Sequence, residues 1–229
     1  GKELFVTVGS QTDHDQEAPP RASVLRMNLD GSERIVFASG IRNPIGLDFH
    51  PVSGEPYINV NERDKLGDEL VPDYFTRIQQ GQFYGWPYAF LTPEKLDPRR
   101  MQDGKSERPD LAKQTVTPDV LYQSHSAALG LAFCANEKFP AKYRNGAFSA
   151  FRGSSNRTVA TGYKLVFVPF NDEHRPEGYY EDFLTGFLLD PATGTTWGRP
   201  VGVVFAADGS LLFTEDANGR IYRVTYTGT

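Results

Sequence analysis

Pro44-Ile45-Gly46-Leu47-Asp48-Phe49 decides the fold of this chain, because its pattern occurs twice more. Residues 128–133 (ALGLAF) and 200–205 (PVGVVF) also place a glycine between two apolar residues and end on phenylalanine three positions later. Self-similar strand units of this kind are typical of a radial β architecture, in which no sheet buries both faces alone. The glycines suit close approach of neighbouring backbones near a crowded axis. The sequence therefore predicts an all-β fold, a β-propeller.

Four consecutive sheets are expected along the chain, read from alternating apolar runs and turn residues. In the first sheet the strands are predicted at residues 4–8, 23–28 and 34–38, and in the second from Ile45 and at 57–60, 76–79 and 83–86. In the third sheet they are predicted at residues 129–134, 147–151, 163–169 and 183–188, and in the last at 201–205, 211–215 and 221–226. A long insertion at about residues 87–118 carries one short helical possibility at residues 93–95. We treat residues 1–229 as a single partial propeller domain of about four blades.

The first predicted sheet lacks an opening strand, and the last lacks a fourth strand. Closed propellers often complete their final sheet with a strand from the other terminus. The expectation is therefore that this chain is the C-terminal portion of a longer propeller. No signal peptide is visible, and the chain opens directly into a strand.

Composition limits the classes of partner. The net charge of -5 without a basic stripe argues against nucleic acid. No run of about 18 apolar residues occurs, so no membrane-spanning helix is expected. The single cysteine, Cys134, lies in a predicted strand and is expected to be a buried small hydrophobe.

Ordered motifs between the repeats carry a family resemblance that covers nearly the whole chain. They are 40–47 (GIRNPIGL), 61–70 (NERDKLGDEL), 81–87 (GQFYGWP), 125–127 (HSA), 153–157 (GSSNR), 162–164 (GYK), 182–187 (DFLTGF) and 198–202 (GRPVG). In this order they resemble the glucose/sorbosone dehydrogenase family of pyrroloquinoline quinone (PQQ) enzymes. The sorbosone and pyranose dehydrogenase-like branch is the most similar.

The resemblance implies a six-bladed propeller that oxidises a sugar or aldose by hydride transfer to PQQ, with calcium as second cofactor. It also implies a periplasmic or secreted location and leaves the electron acceptor unidentified. Two other classes stay open from the residues alone: a non-catalytic carbohydrate- or protein-binding propeller, and a calcium-dependent lactonase-like hydrolase. Calcium ligated by carboxylates from several blades would favour the hydrolase, and arginines converging on a flat slot would favour the quinoprotein.

Arginines are the residues expected to hold PQQ, because guanidinium groups bind its carboxylates through two parallel hydrogen bonds. Arg42 and Arg199 both precede repeat strands, which places them near one rim of the axis. The resemblance assigns Arg42, Asn43 and Arg199 to the cofactor, with Arg157 as a third candidate cation. The alternative is that these arginines only cap loops or pair with surface carboxylates.

Carboxylates are concentrated between Asn61 and Glu69, around Gly67. Oxygen-rich loops with a glycine turn suit a hard cation such as calcium. Glu62 and Asp68 are candidate ligands, and the resemblance adds the main-chain carbonyls of Arg63 and Asp64. A solvated acidic loop is the alternative.

His125 precedes a repeat strand, so it is expected at the axial end of the sheets. The family base is a histidine of an upstream motif that this chain lacks, which leaves His125 as the candidate for substrate contact or catalysis. The resemblance also makes Ser10 and Gln11, which follow the first strand, candidate cofactor contacts.

Overall fold

Four antiparallel sheets follow one another along the chain and stand side by side around a common axis. The structure is a computed structural model that describes residues 1–134 and 138–228. The architecture confirms the predicted β-propeller, with three strands in the first and last sheets and four in each middle sheet. No helix in the described part of the chain is long and apolar enough to cross a membrane.

The insertion lies within the second sheet, between its third and fourth strands. The first sheet consists of β1 (Glu3–Val8), β2 (Ser23–Asn28) and β3 (Ile35–Ser39). The second begins with β4 (Asn43–Phe49), β5 (Pro56–Asn61) and β6 (Tyr74–Arg77). The insertion contains β7 (Ala89–Phe90), β8 (Thr92–Leu96), a 3-10 turn (Pro98–Arg100), β9 (Met101–Gln102), β10 (Lys105–Ser106) and α1 (Pro109–Ala112), and β11 (Val120–Leu121) then completes the second sheet.

Two sequence-based predictions fail in this region. Residues 83–86 do not form the outer strand, because Phe83 makes only isolated bridges to Ser39 and Thr115, and β11 pairs with β6 instead. Residues 93–95 are not helical but belong to β8, which forms a hairpin with β7. Leu91 makes that reversal possible with a positive φ of 62°.

The third and fourth sheets follow the predicted order. The third contains β12 (Ala128–Phe133), β13 (Gly146–Phe151), β14 (Lys164–Pro169) and β15 (Glu181–Leu184), with a 3-10 turn at Ala141–Tyr143. A small hairpin of β16 (Leu188–Asp190) and β17 (Thr195–Thr196) precedes the last sheet, which contains β18 (Pro200–Phe205), β19 (Leu211–Glu215) and β20 (Arg220–Val224).

The repeated glycines lie where the inner strands β4, β12 and β18 pack against one another. A Cβ on Gly46 would lie 2.2 Å from the carbonyl oxygen of Leu129, and one on Gly130 would lie 2.5 Å from that of Val201. Only a residue without a side chain allows this approach. The repeated glycine pattern therefore marks the contact surface between neighbouring inner strands.

Aromatic side chains fill the spaces between the sheets. Tyr57 of the second sheet packs against Phe133 of the third, and Phe148 of the third packs against Phe205 of the last. Buried rings of this size each contribute roughly 1.5–3 kcal/mol through burial. Cys134 is buried in the cluster between the third and last sheets, as expected.

Candidate active site

Strand direction gathers the polar loops at one end of the sheets. The inner strands β4, β12 and β18 are antiparallel to their partners β5, β13 and β19. The loop before each inner strand therefore lies at the same end of the sheet as the loop after its partner. We call this end the loop face; it consists of residues 9–22, 40–42, 62–73, 122–127, 152–163, 197–199 and 216–219. Loops held by a rigid scaffold are where binding residues concentrate.

A cleft of about 90 Å³ opens on the loop face, between the second and third sheets. We call it the central cleft. Its lining is Arg42, Asn61, Glu62, Asp64, Asp73, His125, Ala127 and Ser155. His125 and Ala127 both have positive φ values, of 63° and 53°. Backbone strain of this kind is common at functional sites.

Arg42 lies at the entrance to β4 and points into the cleft. Its Nη1 donates to the carbonyl oxygen of Glu62 at 2.8 Å, and its Nη2 lies 3.2 Å from Asp13 Oδ1 and 3.6 Å from Asp64 Oδ2. The buried Nε has no hydrogen-bond partner among the described residues. Arg42 thus keeps one donor unused at the wall of the cleft.

His125 is buried between two acceptors. Its Nδ1 lies 3.2 Å from Asp64 Oδ1, and its Nε2 lies 3.0 Å from the carbonyl oxygen of Gly67. Because a carboxylate and a carbonyl both accept, both contacts are satisfied together only when the two ring nitrogens carry protons. Use of His125 as a base would therefore require one of these contacts to break first.

Glu62 and Asp73 are buried carboxyls on the wall of the cleft. Asp73 Oδ1 accepts from the Glu62 amide at 3.0 Å, and its Oδ2 accepts from the Ala127 amide at 2.9 Å. Removal from water raises the pKa of Glu62 to about 7 and that of Asp73 to about 6. Asp73 ties the second sheet to the entrance of β12, so it fixes the shape of the cleft.

Arg63 points away from the cleft, into the insertion. Its buried guanidinium pairs with buried Asp97, and its Nε and Nη2 both lie 3.2 Å from the carbonyl oxygen of Asp64. That carbonyl was one of the expected calcium ligands, and here it accepts from a cation. Asp68, another expected ligand, instead accepts from the Thr158 amide at 3.0 Å, a bond that contributes most to its lowered pKa.

Arg199 and Arg152 lie side by side on the loop face, where both bind Asp216. Arg199 Nε donates to Asp216 Oδ1 at 2.8 Å, and Arg152 Nε donates to Asp216 Oδ2 at 2.7 Å. Both side chains are about a third exposed, at 36%. Asp216 therefore holds two guanidinium groups together by their Nε atoms, and their outer nitrogens make no hydrogen bond within the described residues.

The other expected cofactor residues lie on the loop face with their groups already engaged. Arg157 binds the carbonyl oxygen of Asp68 and the Glu69 carboxylate, the latter at 2.6 Å. The Ser10 hydroxyl donates to the Thr12 carbonyl oxygen at 2.6 Å, and the Ser10 amide donates to the Arg42 carbonyl oxygen at 2.7 Å.

Asn43 and Gln11 complete the set of expected cofactor contacts. The Asn43 amide, oriented to suit its neighbours, donates to the Arg42 carbonyl oxygen at 3.2 Å and accepts from Nη1 of Arg42 at 3.3 Å. Gln11 is exposed, and its backbone amide donates to Glu17. The cofactor roles of Ser10, Gln11, Asn43, Arg157 and Arg199 remain predictions.

Four residues of this region were not predicted from the sequence: Asp13, Asp73, Arg152 and Asp97. Asp13 belongs to a polar loop that contains none of the family motifs, and Asp73 lies three residues after the acidic motif at 61–70. Arg152 directly precedes the motif at 153–157, so its adjacency was a usable signal. Asp97 lies in the insertion, and nothing in the sequence connects it to Arg63.

The donor set suits an anionic, planar cofactor and an accompanying cation. Arg42 Nε is a buried donor without a partner, and Arg152 and Arg199 present unpaired outer nitrogens. Two buried oxygens, Asp13 Oδ2 and Asn61 Oδ1, are acceptors without partners in the described structure. Within residues 1–134 and 138–228, no three His, Cys, Asp or Glu side chains already form a metal cage, so a cation would need amide or main-chain oxygens as well.

The chain is similar to known proteins over nearly its whole length. The family model described as TrAA12-like matches residues 2–227. An uncharacterized protein of Borreliella burgdorferi is 35% identical over 233 residues, an alignment that covers 97% of this chain and 57% of that protein.

Solved structures share the fold at low sequence identity. A Trichoderma reesei Carbohydrate-Active Enzymes Family AA12 structure has a TM-score of 0.79 at 20% identity, covering 97% of this chain and 64% of that one. The holo form of the pyranose dehydrogenase PQQ domain from Coprinopsis cinerea gives 0.77 at 20% identity, with coverages of 98% and 67%. The soluble aldose sugar dehydrogenase of Escherichia coli in its apo form gives 0.61 at 19% identity, with coverages of 94% and 58%. The chain thus spans between 57% and 67% of the length of these relatives.

Proposed function

The chain belongs to the TrAA12-like family, and we propose that it forms the cofactor-binding part of a PQQ- and calcium-dependent dehydrogenase that oxidises a sugar or aldose. The names of the structural neighbours support a sugar oxidoreductase as the class. The resemblance in the motifs supports the sorbosone or pyranose type of substrate and a periplasmic or secreted location. The electron acceptor stays unassigned.

The observation that carries the proposal is the set of arginines on the loop face. Arg42, Arg152 and Arg199 come from three neighbouring sheets, and each retains an N–H group without a partner in the described structure. Arginines supplied by several blades at the same end of the sheets support an anionic planar cofactor over the hydrolase and the purely binding propeller. Charge-assisted hydrogen bonds to carboxylates are about twice as strong as neutral ones.

A calcium ion would draw on the unpartnered oxygens of Asp13 and Asn61 and on the carboxylate of Asp64. Hard cations prefer such oxygens. The Asp64 carbonyl is less suited than expected, because the Arg63 guanidinium already contacts it. When bound, PQQ would supply the quinone carbon that accepts hydride from the sugar.

The residues of this chain would act by binding, orienting and excluding water. Arg42 would hold a cofactor carboxylate, and Asp73 would keep the Ala127 main chain in place beside it. The His125 ring, held between Asp64 and the Gly67 carbonyl oxygen, would form part of the cleft wall. Preorganised charges in a cleft of this kind stabilise negative charge without reorganising during reaction.

The test is titration of PQQ, with calcium present, into the protein and into Arg42→Ala and Arg199→Ala, followed by absorbance. Removing one partner of a desolvated charge pair costs about 2–5 kcal/mol, so each variant should bind at least thirtyfold more weakly. Arg34→Ala is the matched control, because Arg34 is exposed and outside the loop face. Equal affinity in the wild type and both variants would reject the assignment.

A further inference from the structure

One carboxylate from the first sheet contacts two parts of the central cleft. Asp13 lies in the loop between β1 and β2, and its side chain is only 16% exposed. Its Oδ1 lies 3.2 Å from Arg42 Nη2 and accepts from the Asp64 amide at 2.8 Å. A single oxygen therefore fixes the spacing between the Arg42 guanidinium and the Asp64 main chain.

The loop that carries Asp13 is organised from within by Glu17. The Glu17 carboxylate accepts from the Gln11 amide at 2.9 Å, from the Thr12 amide at 2.6 Å and from the Thr12 hydroxyl at 2.8 Å. Three donors on one carboxylate close the loop on itself. Asp13 is thus presented by a preformed turn, which reduces the conformational entropy lost when the contact forms.

Two residues, one just before the insertion and one inside it, support this arrangement. Trp86, which is buried and directly precedes the insertion, donates its indole Nε1–H to the Asp13 carbonyl oxygen at 2.9 Å. Asp97, inside the insertion, pairs with the buried guanidinium of Arg63, next to Asp64 in sequence. Trp86 therefore holds Asp13, and Asp97 holds the residue next to Asp64, so both partners of the Asp13 Oδ1–Asp64 hydrogen bond are supported.

We propose that Asp13 is a positioning residue that sets the Arg42 guanidinium and the Asp64 main chain in their binding arrangement. We further propose that Trp86, just before the insertion, and Asp97, inside it, brace this arrangement. The meaning of this arrangement for cofactor binding rests on the proposed function. The contact between Asp13 and Asp64 does not, so it can be tested without any ligand.

The first experiment measures hydrogen exchange of the Asp64 amide by NMR in the ligand-free protein. Asp13→Ala should accelerate exchange at least tenfold, because the amide loses its acceptor. Asp13→Asn keeps an acceptor oxygen of the same shape and should restore slow exchange. Asp15→Ala is the matched control, since Asp15 lies in the same loop with 60% of its side chain exposed, and it should change nothing.

The second experiment titrates PQQ with calcium into the folded variants. Misplacement of a binding group by about 1 Å can cost about a hundredfold, so Asp13→Ala should bind tenfold to a hundredfold more weakly. Asp13→Asn should bind with an affinity between those of the wild type and Asp13→Ala, because it keeps an acceptor for the Asp64 amide but loses the charge that faces Arg42. Failure of the wild type to bind PQQ would reject the proposed function and leave the exchange result to decide the role of Asp13.

Two outcomes overturn the inference. One is an unchanged Asp64 exchange rate in Asp13→Ala, and the other is wild-type PQQ affinity in that variant when folded. Should Asp13→Ala not fold, Trp86→Phe decides, because it removes the indole N–H donor and keeps an aromatic ring at this buried position. It should raise Asp64 exchange at least threefold, and an unchanged rate would reject the brace.

Discussion

Gly46→Ala and Gly130→Ala should destabilise the propeller strongly, whereas Gly202→Ala should be nearly neutral. The three glycines occupy the same position of the repeated pattern, but their surroundings differ. A Cβ on Gly46 would lie 2.2 Å from a backbone oxygen and one on Gly130 2.5 Å, whereas one on Gly202 would meet only the Thr214 hydroxyl, at 3.0 Å. Backbone atoms of a paired strand cannot rotate aside, and a side-chain hydroxyl can.

The size of the effect follows from that geometry. To accept the methyl group, β4 and β12 must part by roughly 1 Å, which forfeits a quarter to a half of the dispersion energy of the contacts affected. Overpacking of this kind costs about 1–3 kcal/mol, and the entropic gain of replacing glycine offsets only about 0.4–1 kcal/mol. We expect a net loss of about 2 kcal/mol for Gly46→Ala and for Gly130→Ala, and a change below about 0.5 kcal/mol for Gly202→Ala.

Urea unfolding followed by fluorescence gives the free energy of unfolding of each variant, and calorimetry gives Tm. A loss of 2 kcal/mol corresponds to a Tm lowered by roughly 4–8 °C in a domain of this size. Equal losses in all three variants, or no loss in Gly46→Ala, would show that the repeated glycines do not mark the contact between inner strands.

The remaining predictions concern charges and protonation. Asp97→Ala should lower the free energy of unfolding by about 3–5 kcal/mol, because it leaves the Arg63 cation buried without its partner, and the double variant with Arg63→Met should recover most of that loss in urea unfolding. His50 is buried, and burial followed by the charges of His174 and Arg175 lowers its pKa against the opposing effect of Glu55. A lowered histidine pKa favours the neutral folded form, so its stability contribution is present above pH 6.5 and is lost as the pH falls from 6.5 through the folded pKa. His50→Gln should remove that part of the pH dependence in urea midpoints measured from pH 7.5 to pH 5, and an unchanged slope would contradict the assignment.

Much of the fold could be predicted from the sequence, because the strand patterns and turn residues that specify it lie within short segments. The glycine pattern marks β4, β12 and β18, and turns such as Asp208-Gly209 mark where the inner strands end. The outer strand of the second sheet was misassigned because residues 83–86 are apolar and aromatic enough to resemble a strand. The Val120–Leu121 strand is too short to give a periodic signal, and tertiary pairing with β6 decides it.

The site was predictable only in part, because its contacts join distant segments. Arg42 and His125 were found since both precede a repeated strand, and the cleft contains both. Asp13 is 29 positions from Arg42, and Asp97 is 34 positions from Arg63, with no shared motif. The direction of the Arg63 side chain could not be read either, because it depends on a buried partner inside the insertion.

The alternating direction of the strands determines which loops can be altered without affecting the central cleft. The hairpin turns at residues 50–55 and 206–210 lie at the end opposite the loop face, so no group of the central cleft comes from them. Insertions, tags or new recognition segments placed in those turns would alter the molecule without touching the residues that hold a ligand. The sequences at the two ends of the sheets can therefore vary independently of each other.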